Sequence, residues 1–176
     1  MTLGEFVKWL SICGYPNRGE RLSGGGVGLK AAGVLAQSAA ASSVTGTTAE
    51  TILASVAIPA GYLGPNGTLR VTTLWSFPNS ANTKTIRVRL GGQIFSIKAL
   101  TTSLSFQGQT IIRARGTRAQ VSSAPSAASD FGSSGAVVQM GTVDMTQDQT
   151  LTITGTLASS TETITHEGYI VEVLNP

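Results

Sequence analysis

The chain has 176 residues, 12% of them charged, a net charge of +3 and a single cysteine, Cys13. One cysteine excludes an internal disulfide framework and a cysteine-based zinc site, and the length suits one domain with a real core plus an appendage. Charge is divided by position: residues 1–40 hold four basic and two acidic residues, residues 41–118 eight basic residues and the single acid Glu50, and residues 119–176 six acids with no Lys or Arg.

Residues 2–12 form the one convincing helical stretch. Thr2 can cap the first turn, Glu5 follows at the capping-box spacing, and Leu3, Phe6, Val7 and Leu10 share a face with Trp9 at its edge. So short a helix needs a surface to dock on, which makes these five residues candidate partner anchors. Residues 14–50 show no sustained period. Turn chemistry from Gly14 to Gly19 and the glycine run Gly24–Gly28 pass into an Ala-rich segment, read as an extended arm that reaches along a neighbour.

From Thr51 the period becomes two. Ile52, Ala54, Val56 and Ile58 are expected on one face of a strand, followed by a turn at Gly64-Pro65-Asn66-Gly67. Leu69, Val71, Thr73, Trp75 and Phe77 then face inward. Ile86, Val88 and Leu90 follow, with Arg87 and Arg89 outward, and a hairpin over Gly91-Gly92 returns through 93–99. Strand 110–117 puts Ile112 and Ala114 inward and Arg113 and Arg115 outward. Segments 136–141, 149–157 and 169–174 complete the set. Short strands without interleaved helices predict an all-β antiparallel sandwich, a jelly roll of about eight strands over 46–176, preceded by the helix and arm of 1–45.

Catalytic constellations are sparse. The sole histidine, His166, precedes the last expected strand and reads as a turn or rim residue. Asp144 and Asp148 lack the order of a calcium loop, and Glu162, Glu167 and Glu172 form no recognisable glycosidase pair. Gly24–Gly28 before Lys30 lacks phosphate-loop spacing. No enzyme activity, metal or cofactor is expected. Low net charge without a Lys/Arg run disfavours nucleic acid, and no apolar run is long enough for a membrane. Without a secretory signature, the chain is expected to fold in a cytosol. Arg70, Arg87, Arg89, Arg113 and Arg115 are candidates for inter-subunit or anionic contacts, against the alternative of cross-strand pairs with C-terminal acids.

The stretch from Val56 to Gly92, with its Ile-Pro-Ala-Gly and Leu-Gly-Pro-Asn-Gly turns, the Asn79-Ser-Ala-Asn-Thr-Lys84 loop and the Gly-Gly hairpin, resembles a recurring segment of tailed-bacteriophage virion proteins. The closing Gly168-Tyr-Ile-Val-Glu-Val is similar to their final strand. The resemblance implies a jelly-roll domain and a non-enzymatic, usually trimeric part of a head or tail. Its partners would be other virion proteins of the capsid, collar or tail, and its final location the virion, after assembly in the host cytoplasm. The expectation is a decoration, cement or spike module held by its N-terminal arm. A tail-associated protein recognising host surface glycan is the alternative, with Tyr62, Trp75 and the loop from Asn79 to Lys84 as its ligand candidates.

Overall fold

The structure is a computed structural model that describes residues 33–124 and 135–174. The expected helix at 2–12, its anchors Leu3, Phe6, Val7, Trp9 and Leu10, and Cys13 lie outside those residues. Among the described residues the secondary structure is all strand: β1 (Gly33–Ser38), β2 (Ser42–Thr45), β3 (Thr51–Ile58), β4 (Thr68–Ser76), β5 (Lys84–Leu90), β6 (Gln93–Leu100), β7 (Ser105–Ala114), β8 (Gln120–Ser122), β9 (Gln139–Gly141), β10 (Gln149–Leu157) and β11 (Thr163–Leu174).

Two antiparallel sheets result. The larger runs β1-β11-β4-β7-β8-β9, with β2 also on β11, and the smaller runs β3-β10-β5-β6. The pairings nest: β2 with β11, β3 with β10, β4 with β7, and β5 with β6. The chain therefore wraps like one long hairpin folded over on itself. Strand β1 extends the edge begun by β2, and β8 and β9 extend the other.

Alternation drives this arrangement. Leu69, Val71, Thr73, Trp75 and Phe77 are all buried, as the period of two requires. Ile86, Val88 and Leu90 meet them from the smaller sheet, together with Leu151, Ile153 and Phe95, in one apolar core. The hairpin between β5 and β6 turns on Gly91 and Gly92, whose φ angles of 54° and 82° are left-handed, as a two-residue turn needs. At the opposite turn the Gly67 amide donates to the Gly64 carbonyl at 2.9 Å.

Three expectations change. In β3, Val56 and Ile58 are buried, but Ile52 is 60% exposed and Leu53 takes its place in the core. The register against β10 slips between Ala54 and Ile52, so Leu53 is the extra residue of a bulge and the phase inverts. Residues 33–45, assigned by sequence to the arm, form β1 and β2 along β11 of the same chain. Their Gly, Ala and Ser content hid the strand period. The last strand begins at Thr163 rather than Tyr169, which takes His166 from a turn into the sheet.

Candidate functional site

The charged residues largely close on one another. Arg70 donates from Nε and Nη2 to the two carboxylate oxygens of Glu172, both at 2.7 Å, across the β4–β11 pair. Arg89 donates to Glu50 from Nε and Nη2, both at 2.8 Å, and Arg87 lies 3.7 Å from the same carboxylate. Thr154 on β10 donates to Glu50 Oε1 at 2.6 Å. Glu50, just ahead of β3, thus ties three adjacent strands together on the outer face of the smaller sheet. The Arg89 hydrogen bonds hold its carboxyl down to about 2, helped by Thr154 and the charge of Arg87 and opposed by burial. Arg113 and Arg115 are exposed.

The expected glycan loop is built differently from its sequence reading. Lys84 is fully buried and donates to Ser80 Oγ at 2.7 Å and to the Asn82 carbonyl at 2.9 Å. Glu162 stands 3.7 Å from its ammonium and accepts from Asn82 at 2.8 Å. The loop is therefore folded around its own lysine. Trp75, 1% exposed, belongs to the core, and Tyr62 is half-buried against it.

His166 is also in the interior, 1% exposed, with its ring 4.6 Å from Trp75 and stacked at 5.8 Å on Tyr169. Among the described residues its Nε2 has no hydrogen-bond partner. Burial lowers its pKa, outweighing a backbone hydrogen bond at Gly168 and the charge of Glu167. The acids Asp144 and Asp148 serve turns. Asp144 accepts from the amide and hydroxyl of Thr146 and pairs with Arg118 at 2.8 Å, while Asp148 accepts from the Ala60 amide. Among the described residues no three His, Cys, Asp or Glu side chains gather as metal ligands.

A concavity of about 580 Å³ lies elsewhere, on the outer face of the larger sheet. Inward Val71, Thr73 and Trp75 leave Thr72 and Leu74 pointing outward on β4. Register places Gln37 of β1 opposite Ile170 of β11, Ile170 opposite Thr72, and Thr72 opposite Gln109 of β7. The neighbouring row runs Gly168, Leu74, Gln107. Leu74 and Ile170 are 45% and 41% exposed. Glu167 is the extra residue of a bulge in β11, lines the hollow and accepts a hydrogen bond from the Ser76 hydroxyl.

Gly168 shapes this hollow. A Cβ there would stand 2.6 Å from the Ser38 carbonyl oxygen, so only glycine lets the end of β1 cross the bulge so closely. Sequence reasoning did not single out Gln37, Thr72, Leu74, Gln107 or Ile170. The available signal was Leu74 and Ile170, apolar residues out of phase with the inward positions beside them.

No protein-family model and no curated protein matches the chain. Among solved structures it is similar to dimeric latent PorU from Porphyromonas gingivalis, at 7% identity and a TM-score of 0.39, over 86% of this chain and 14% of that one. It is similar to the CBM2 module of the evolved Dit of Lactobacillus casei BL23 phage J-1, at 14% identity and a TM-score of 0.34, over 69% of both chains. A third similarity is to infectious bursal disease virus Gx strain, at 12% identity and a TM-score of 0.27, over 81% of this chain and 40% of that one. TM-scores this low assign neither fold nor function.

Proposed function

We propose that the chain is a non-enzymatic structural module of a tailed-phage virion, a jelly roll carried on the particle as decoration, cement or spike. The observation that carries this reading is the segment Val56–Gly92, whose resemblance to phage virion proteins covers β4, β5, the end of β3 and every turn between them. The nested strand pairing and the two-sheet order support the jelly-roll reading that the resemblance implies.

The pairing of charge supports a self-contained module. Arg70, Lys84 and Arg118 of the basic segment meet Glu172, Glu162 and Asp144 of the acidic one within one chain. Attachment then falls to the residues before Gly33, where Leu3, Phe6, Val7, Trp9 and Leu10 supply apolar anchors for a capsid, collar or tail partner. Strand β1 lies at the edge of the larger sheet, so a leader entering there can engage a neighbour without disturbing the core. A symmetric host or a homotrimer would present several such modules.

The test is incorporation. Host cells assembling particles would receive either the full chain or residues 33–176. The full chain should copurify with particles and the truncated chain should stay in the soluble fraction. Equal incorporation of both would refute the anchor, and absence of the full chain from particles would refute the virion role.

A further inference from the structure

We propose that the hollow on the outer face of the larger sheet binds a neutral oligosaccharide. The inference is independent of where the module sits on a particle, and it uses none of the residues first considered for glycan contact.

Gln37 and Gln107 are exposed and Thr72 is half-buried, and none of the three spends its side-chain polar group on another described residue. Each amide offers a carbonyl acceptor and two N–H donors, and the hydroxyl offers both functions, which matches the mixed donor and acceptor character of sugar hydroxyls. Between them stand Leu74 and Ile170, an aliphatic surface for the C–H faces of a pyranose ring. Concave sites of this kind combine apolar floor with a few fixed polar groups.

Charge decides the ligand class. Among the described residues the hollow's lining holds no Lys or Arg, and its one acid, Glu167, already holds the Ser76 hydroxyl. An anionic polymer would find no cation there, and a cationic one would compete with that hydrogen bond. The nearest ion pair on this face, Arg70 with Glu172, is closed on itself. Size fits as well. From Gln37 through Ile170 and Leu74 to Gln107 the lining crosses four neighbouring strands, a span of roughly 14 Å at the usual strand spacing. A ligand of several linked rings would cover it, laid across the strands.

The positions are held rigidly. Each belongs to a paired strand of the larger sheet, and the Gly168 crossing fixes β1 against the bulge of β11. Pre-set geometry lowers the ordering cost of binding, which matters for the weak affinities that exposed hydrogen bonds provide.

The experiment is saturation-transfer NMR on the full chain with maltotetraose, cellotetraose, galactotetraose and a rhamnotetraose. Polygalacturonate serves as the anionic comparison, and sedimentation velocity is run on every variant. At least one neutral tetrasaccharide should bind saturably. Gln37→Ala and Gln107→Ala should each weaken it by roughly 3- to 10-fold, as expected for a lost hydrogen bond. Leu74→Glu should remove binding while unfolding temperature and sedimentation stay unchanged. The proposal is overturned if no neutral sugar binds, if polygalacturonate binds in preference, or if the three variants bind like the parent. It is equally overturned if Leu74→Glu dissociates an oligomer, because the face would then be a contact between copies. None of these outcomes bears on particle incorporation, which tests the virion reading separately.

Discussion

Replacing Glu50 by Gln should reveal how much the smaller sheet owes to one carboxylate. Glu50 accepts two hydrogen bonds from Arg89 and one from Thr154, with Arg87 at 3.7 Å. Its pKa falls from 4.5 to about 2. That difference corresponds to about 3 kcal/mol at neutral pH, and with the side chain 31% exposed, solvent screening roughly halves it to about 1.5 kcal/mol. A depressed carboxyl stabilises the fold fully above its unfolded pKa and loses the effect as pH falls through its folded value. At pH 7, Glu50→Gln should therefore lower the unfolding temperature by about 3–6 °C. The gap between parent and variant should persist at pH 5, shrink by more than half by pH 3 and nearly vanish at pH 2. Thermal unfolding followed by circular dichroism measures this directly. A gap of the same size at pH 7 and pH 3, or none at pH 7, would refute the electrostatic account.

Other consequences follow from the interior. His166 titrates below its usual value because burial disfavours the imidazolium beside Trp75, so its contribution is present above about 6.5 and lost as pH falls below. Chemical denaturation between pH 7 and pH 5 should show declining stability in the parent and a flatter profile in His166→Leu; parallel profiles would contradict this. Gly168→Ala forces a methyl against the Ser38 carbonyl at 2.6 Å and should cost about 1–3 kcal/mol, while Gly92→Ala, with open space around its Cβ, should cost less despite its left-handed φ. Equal losses would mean β1 yields freely. Removing residues 1–32 should leave the unfolding temperature within a few degrees of the parent, whereas removing 1–45 strips β1 and β2 from β11 and uncovers Ile164 beneath Val44, so differential scanning calorimetry should show a marked drop only for the longer deletion.

The strands easiest to read from sequence were those with an unbroken period of two. Leu69 to Phe77 alternates without interruption, and the Gly-Gly hairpin carries its own turn chemistry. Bulges were illegible, because an inserted residue leaves no mark in composition and yet reverses every position beyond it. Leu53 and Glu167 each do this, and the second helps to create the hollow. Strands β1 and β2 escaped notice because Gly, Ala and Ser have little β preference of their own, and pairing with β11 decides their conformation. Cross-strand pairing of the arginines with C-terminal acids was legible as an alternative, but not which acid meets which arginine: Arg70 and Glu172 are distant in sequence and adjacent only through the β4–β11 register. Lys84 shows the reverse error, since a lysine in a polar loop reads as solvent-facing until Ser80, Asn82 and Glu162 are seen around it.

Locating the chain in purified particles by cryo-electron microscopy tests the central reading most directly. The account predicts sandwich-shaped density at symmetry-related positions on the particle surface, each oriented with the Gly33 end of β1 toward the shell or tail and the segment before it seated on a neighbouring subunit. Particles that carry no such density, or that hold the sandwich with its Gly33 end pointing into solvent, would contradict it.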